Sequence, residues 1–226
     1  MKNFFFCARN LEDYLTPLLN GNEKSFVDVH DKNLLATDDV QKLFRSIITT
    51  HLEGLKYFDT PMSDAIKTGL SDVKLDFNFG LRLDVPAGNF HVTIGDDNGQ
   101  IFFDRDISDV RLISLEKYFI RWHVEIYRAD TKIFEHILNL QEQTVYLSFD
   151  KGSGLGDILA FLPFADEFKK FFACNVEISL PEYLHELAEN FYPELAQVNE
   201  LNFKTYATYY LQMKFGDFPT VPADIR

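Results

Sequence analysis

QTVYLSFDKGSGLGDILAFLPFADEFKKFF, residues 143–172, is the stretch on which the fold turns. It opens with alternating apolar residues (Val145, Leu147, Phe149) and passes a loop holding Gly152, Gly154 and Gly156. It then enters an apolar-periodic helix at Asp157. Strand, glycine-rich turn and helix in this order form the opening unit of a nucleotide-type α/β domain. Downstream, residues 175–180 (NVEISL) read as a second parallel strand and residues 181–191 as a short helix with proline at its start. Gln197-Val198 reads as a third strand, and residues 204–215 carry a dense aromatic run. Two or three strands fall short of the five or six of a doubly wound sheet. Residues 142–226 therefore read as an incomplete Rossmann-like α/β half.

Working outward, residues 71–141 alternate with period two. Val73, Leu75, Phe77, Phe79, Leu81, Leu83 and Val85 form one such series, with Gly80 as a bulge or bend. Pro86 to Asn89 makes a turn, Phe90, Val92 and Ile94 a strand, and Gly95 to Gly99 a hairpin loop. Further strands are predicted over 101–104, 110–114, 117–127 and 133–138, with Tyr118, Ile120, Trp122, Val124 and Ile126 on one face. Short strands with regular turns predict a small antiparallel β-barrel or sandwich. Residues 1–70 read as a helical lead. Asp38 and Gln41 make a capping-box pattern, Val40 to Leu55 keep helical spacing, and Thr60-Pro61 looks like a helix start that Gly69 stops. The fold class expected is α+β.

The net charge is −13, from 35 acidic against 22 basic residues. A field of that sign repels phosphate backbones and anionic lipid, which argues against nucleic acid or a membrane surface as partner. The two cysteines, Cys7 and Cys174, lie too far apart for a metal clip or a disulfide framework and suit a reducing compartment. The start MKNFFFCARNLED is too short in apolar residues for a signal peptide, and no run is long enough to span a bilayer. A cytoplasmic location is expected. The six histidines show no HxxxH or HxH spacing, so no metal site is expected.

The loop Gly152-Ser153-Gly154-Leu155-Gly156-Asp157 lacks the GK[ST] ending of a phosphate-binding P-loop, and its third glycine comes one residue early for GxGxxG. Asp157 decides more. A pyrophosphate wants bare N–H groups at a helix N-terminus, and an aspartate would set a like charge there. The same helix end keeps a carboxylate ionised, as a base accepting a hydroxyl proton must be. Local physics alone favours a helix N-cap at Asp157, a place that aspartate prefers, and leaves the base as the alternative.

Gly154-Leu155-Gly156-Asp157-Ile158-Leu159-Ala160-Phe161-Leu162-Pro163 resembles the LGD-x-(I/L)-(A/G)-(W/F)-x-P signature of the bacterial autotransporter heptosyltransferases. At family-like spacing follow Glu167 to Lys170, Cys174 to Val176 and Tyr192-Pro193-Glu194. Upstream, Asp76-Phe77-Asn78-Phe79-Gly80-Leu81-Arg82 with Pro86, Gly88-Asn89-Phe90-His91-Val92 is similar to that family's opening. Lys117 to Glu125 and Tyr206 to Leu211 are similar to two further strings of it, so the likeness runs in order over residues 72–226.

The resemblance implies a β-barrel domain followed by a GT-B glycosyltransferase core. It implies transfer of heptose from ADP-heptose to Ser hydroxyls of autotransporter passenger domains, with Asp157 as general base. With it, base is favoured over bare cap. Substrate contacts are expected from Ser153, Gly154, Leu155 and Gly156, and from Tyr209 at the rim of the acceptor cleft. The expected partners are the passenger protein, the nucleotide sugar and a second copy of the chain. The family's nucleotide-sugar half, with its four-cysteine iron motif, is not found before Arg226, so no cofactor is expected in this chain. That departure leaves a second reading, a catalytically incomplete remnant or an acceptor-binding subunit. A third, a carbohydrate-binding β module, requires Trp122 or Tyr118 to be exposed. Lys151 reads as a solvated loop lysine.

Overall fold

The computed structural model describes residues 5–9, 58, 60–114, 120–149, 154–198 and 204–211. Its elements in chain order are β1 (Phe5–Ala8), β2 (Lys74–Asn78), β3 (Arg82–Val85), β4 (Phe90–Asp96), β5 (Ile101–Ile107), β6 (Val110–Ser114), β7 (Trp122–Arg128), β8 (Thr131–Ile137) and β9 (Thr144–Ser148). Then come α1 (Leu155–Phe172), β10 (Asn175–Ile178), a 3-10 turn (Glu182–Leu184), α2 (His185–Phe191), β11 (Ala196–Gln197) and β12 (Ala207–Tyr210). The result is a mixed α/β molecule in which sheets predominate. None of its helices is long and apolar enough to cross a membrane among the described residues.

Two sheets carry the fold. One has four antiparallel strands in the order β5-β4-β7-β8; the other has eight in the order β1-β6-β3-β2-β12-β9-β10-β11. The period-two pattern explains how they meet. Phe90, Val92 and Ile94 of β4 and Trp122, Val124 and Ile126 of β7 are buried on one face, while His91, Thr93, His123 and Glu125 take the other. The buried face packs on Leu75, Leu83, Val85 and Leu112 of the large sheet in one continuous core. Phe5 of β1 stands edge-on to Trp122 at 5.9 Å and to Phe103 at 5.5 Å, closing one side of that core.

Within the large sheet, β11-β10-β9-β12 and then β2 are all parallel neighbours. Counted along the chain from β9, the first four follow the order 3-2-1-4, the order in which a doubly wound sheet begins. β12 lies in the aromatic run that gave no strand signal. It is central, with Ala207 and Thr208 fully buried, so it shows no alternation to read. α1 crosses from β9 to β10 and lays Ile158, Leu162 and Ala165 on the sheet, an i, i+4, i+7 stripe. Ala173 in the left-handed conformation ends it, with the Cys174 N–H returning to the Lys169 carbonyl at 3.3 Å.

Two expectations change. Residues 73–85 are not one bent strand but a tight antiparallel pair, β2 and β3, reversed at Phe79 (φ 54°) and Gly80 (φ 111°). Phe79, a bulky residue in the left-handed region, is held there by its N–H donating to Thr208 O at 3.0 Å. Residues 60–69 are not a helix. Their polar groups are drawn inward instead, toward Asp76 and Arg82. The helix expected over 38–55 lies outside the described residues.

Asp76 and Arg82 are direct cross-strand partners and both are 0% exposed. Arg82 Nε donates to Asp76 Oδ1 at 2.8 Å and Nη2 to Oδ2 at 2.5 Å, a bidentate pair. The other donors of the guanidinium go to Thr60 O at 3.2 Å, Thr60 Oγ1 at 2.6 Å and Pro61 O at 3.0 Å. Asp76 Oδ2 also accepts the Ser63 N–H at 2.8 Å and Asn78 Nδ2 at 2.9 Å. Asn78 Oδ1 in turn accepts from Thr208 Oγ1, which ties β2 to its parallel neighbour β12. A buried ion pair holds only when its remaining hydrogen-bonding capacity is met, and here the strap 60–63 and β12 meet it.

A smaller link joins β8 to the start of β12. Tyr206 Oη accepts the Asn139 N–H at 3.1 Å and is hydrogen-bonded with His136 Nε2 at 2.8 Å. Burial lowers the His136 pKa, in keeping with a neutral ring stacked on Phe77 at 5.8 Å.

Arg82→Met strands the Asp76 carboxylate in the core and should cost about 3–5 kcal/mol. Asp76→Asn/Arg82→Met should lose less than the two single changes added, with a coupling of at least about 1 kcal/mol. Urea unfolding of the four proteins measures this, and additive losses would contradict the network.

Candidate functional site

The parallel strands set where a site can form. Open α/β sheets bind ligands beyond the carboxyl ends of their strands, where the strand order reverses. Here that place is the end of β9 beside β12, because the chain runs to β10 on one side of β9 and returns as β12 on the other. Tyr209 pairs with Leu147 and Tyr210 with Ser148 at those ends. The segment that leaves β9 at this point leads into the first turn of α1.

Gly154 is the N-cap of α1, extended at φ −72° and ψ 163°, and Leu155, Gly156 and Asp157 form the first turn. Asp157 is therefore the third helical residue and not the N-cap, and the helix starts two residues earlier than expected. Its Oδ2 accepts the Gly154 N–H at 3.1 Å, the acidic half of a capping box. Glycine has no hydroxyl to give the reciprocal bond. Aspartate in a first turn also meets the positive end of the helix dipole. Asp157 thus serves the helix end and stays at the surface: residues 154–157 are all exposed, as is Leu159.

A Cβ added at Gly156 would meet nothing within 4 Å, and one at Gly154 only Asp157 Oδ2 at 3.6 Å. Neither glycine is forced by crowding, and Gly154 has no positive φ. Their effect is a bare first turn whose backbone an incoming group can approach.

Of the other expected site residues, Ser153 lies outside the described residues, as does the loop lysine Lys151. Tyr209 packs beneath α1 with its ring 5.8 Å from Phe168, and its hydroxyl is buried. Burial, then the neighbouring Tyr206 and Cys174, push that hydroxyl's pKa far up. It braces α1 against β12. Trp122 is 4% exposed and enclosed by Phe5 and Phe102, each at 5.9 Å, so it offers no stacking face for a sugar; Tyr118 lies outside the described residues.

The Gly88-Asn89-Phe90-His91 string lines a second concavity of about 580 Å³ at one end of the four-stranded sheet, with Asp106, Ser108 and Asp130 opposite. Gly88 (φ 151°) is required there, since a Cβ would come within 2.8 Å of the Phe90 ring. His91 bridges Asp106 at 2.9 Å and Asp104 at 2.7 Å. Its hydrogen bond to Asp106 raises its pKa, burial opposes this, and the bond to Asp104 adds to the rise.

Residues 69–130 match the family described as glycosyltransferase TibC, N-terminal domain. The autotransporter heptosyltransferase BAHTCr of Citrobacter rodentium is 32% identical over 177 residues, covering 75% of this chain and 43% of that protein. The autotransporter heptosyltransferase TibC of Escherichia coli is 30% identical over 177 residues, with the same two shares of 75% and 43%. The chain is related to the autotransporter heptosyltransferases, and the family match places residues 69–130 with the N-terminal domain of one of them. Its fold agrees: the crystal structure of the iron-containing, dodecameric glycosyltransferase TibC superposes with a TM-score of 0.62 at 31% identity, covering 70% of this chain and 42% of that one. A second TibC structure, in complex with ADP-D-β-D-heptose, gives the same TM-score of 0.62 at 27% identity. Another autotransporter heptosyltransferase relative, BimC of Burkholderia thailandensis, is 28% identical over 172 residues and is described as inactive. The chain spans 43% of the length of the first two relatives.

Asp157→Ala removes the acceptor for the Gly154 N–H and the first-turn charge, and should cost about 1 kcal/mol. Asp157→Asn keeps a carbonyl acceptor and should cost about half that or less. Thermal melts compare the two; equal losses would contradict the capping geometry.

Proposed function

We propose that this chain is the acceptor-side part of a protein O-heptosyltransferase, with Asp157 as its general base. In that reaction the Ser hydroxyl of an autotransporter passenger attacks the anomeric carbon of ADP-heptose. Asp157 takes the hydroxyl proton, the new C–O bond forms with inversion, and ADP leaves. One observation carries the reading: an exposed carboxylate at a helix N-terminus beside the strand-order reversal, in a chain related to heptosyltransferases. A base acting on a hydroxyl needs solvent and substrate access, which Asp157 has. Gly154, Leu155 and Gly156, with Ser153, would give the acceptor backbone approach, and Tyr209 would position the helix from below.

In this reading residues 142–226 are the first Rossmann-like half of a GT-B core, residues 71–141 its β-barrel or sandwich domain and residues 1–70 its lead. The protein works in the bacterial cytoplasm, assembles with further copies and takes its nucleotide sugar on a complementary half. The iron of TibC is not matched by residues here. Cys7 on β1 is exposed and Cys174 is buried ahead of β10, and two cysteines cannot make a four-cysteine set. No step is routed through it. A second reading, a non-catalytic remnant or acceptor-binding subunit, is favoured by the likeness to a relative described as inactive.

The chain, alone and complemented by the C-terminal part of TibC, should be co-expressed with an autotransporter passenger in cells that make ADP-heptose. Intact-mass analysis should show added heptose in the complemented case, and Asp157→Asn should cut the rate by about 100-fold or more. No added mass with either form would overturn the transferase reading. ADP-heptose binding by the chain alone would overturn the remnant.

A further inference from the structure

His123, Glu125 and Glu135 stand together on the outward face of the four-stranded sheet, and the transfer proposed above uses none of them. His123 and Glu125 are two residues apart on β7 and so project to one side of it. Glu135 on β8 is the direct cross-strand partner of Glu125. One ligand atom from each residue lies within 4.8 Å of the others. His123 Nε2 is 2.9 Å from Glu135 Oε1 and 3.9 Å from Glu125 Oε1. Sequence spacing could not show this group, because two ligands are i, i+2 on a strand and the third crosses a hairpin.

Two carboxylates set directly opposite each other on a sheet repel, and the arrangement calls for a cation. Lys132 supplies one, with Nζ 3.0 Å from Glu125 Oε1 and 2.6 Å from Glu135 Oε2. It leaves Glu135 Oε1 turned toward the imidazole.

We propose that His123, Glu125 and Glu135 form a binding site for a divalent first-row transition metal. An imidazole with two carboxylates suits such ions, and three protein ligands leave a position for water. Metal–ligand bonds of 2.0–2.2 Å in tetrahedral array put donor atoms about 3.4 Å apart. The separations of 2.9 and 3.9 Å bracket that value, so side-chain adjustment alone closes the site. On binding, the Nε2 proton that His123 shares with Glu135 is given up, the ring keeping its proton on Nδ1, and the freed Nε2 lone pair takes the metal. One outer partner is in place, the Tyr127 hydroxyl hydrogen-bonded to Glu125. Lys132 competes, because its charge occupies the place that the metal's charge would fill.

The test uses the tag-free chain, stripped by chelator, with Zn²⁺ followed by calorimetry and Co²⁺ by visible absorption. One equivalent should bind. His123→Ala and Glu135→Gln, both at solvent-accessible positions, should each weaken binding by about tenfold or more. Their metal-free melting temperatures should stay close to the parent's, and Lys132→Met should bind more tightly. No saturable binding at millimolar Zn²⁺, or unchanged affinity in His123→Ala, would overturn the site.

Discussion

The Asp76–Arg82 pair is the constraint on which the rest of the structure depends. A guanidinium and a carboxylate at zero exposure are tolerable only because every remaining donor and acceptor is matched. The matching groups come from three places: the strap at residues 60–63, Asn78 on β2 and, through Asn78, Thr208 on β12. Because the pair fixes β2 against β3 on one side and β12 on the other, the antiparallel and parallel strands become one sheet. The orientation of β12 then fixes the strand-order reversal beside β9, and with it the mouth at which Asp157 stands. A buried charge pair thereby helps to set the geometry of the candidate site.

Much of this was legible in the sequence where burial is one-sided. β4 and β7 follow the alternation closely because one face meets the core and the other water. α1 was legible from Ile158, Leu162 and Ala165. The failures have a shared cause. Apolar alternation continues through Phe79, Gly80 and Leu81 although the chain reverses there, so the hairpin was hidden. β12 is buried on both faces and so carries no period. Thr60-Pro61 carries the local signals of a helix start, yet its carbonyls are claimed by Arg82. In each case a tertiary contact outweighed the local pattern.

The site was half legible. Asp157 stands at the helix end that the sequence indicates, as its third residue and not its cap, because Gly154 takes the cap position and Asp157 reaches back to it. Tyr209 was singled out for a rim and serves instead beneath the helix, a distinction that depends on which side of β12 faces α1. Trp122 shows the same ambiguity, since aromatic residues in strands read alike whether they face core or cleft. The likeness read in the sequence runs through strings such as Asp76 to Arg82 and Tyr206 to Leu211, and the structure gives these strings a physical meaning. They are the partners of the buried network and the strand it holds.

Native-state hydrogen exchange tests most directly whether this network makes one body of the two kinds of strand. The amides of Leu83 and Val124, in antiparallel strands, should exchange with the same opening free energy as those of Val145 and Val176, in parallel ones, and all should match global unfolding. A markedly lower opening free energy for either group, with the Phe79 amide exchanging freely between them, would contradict the account.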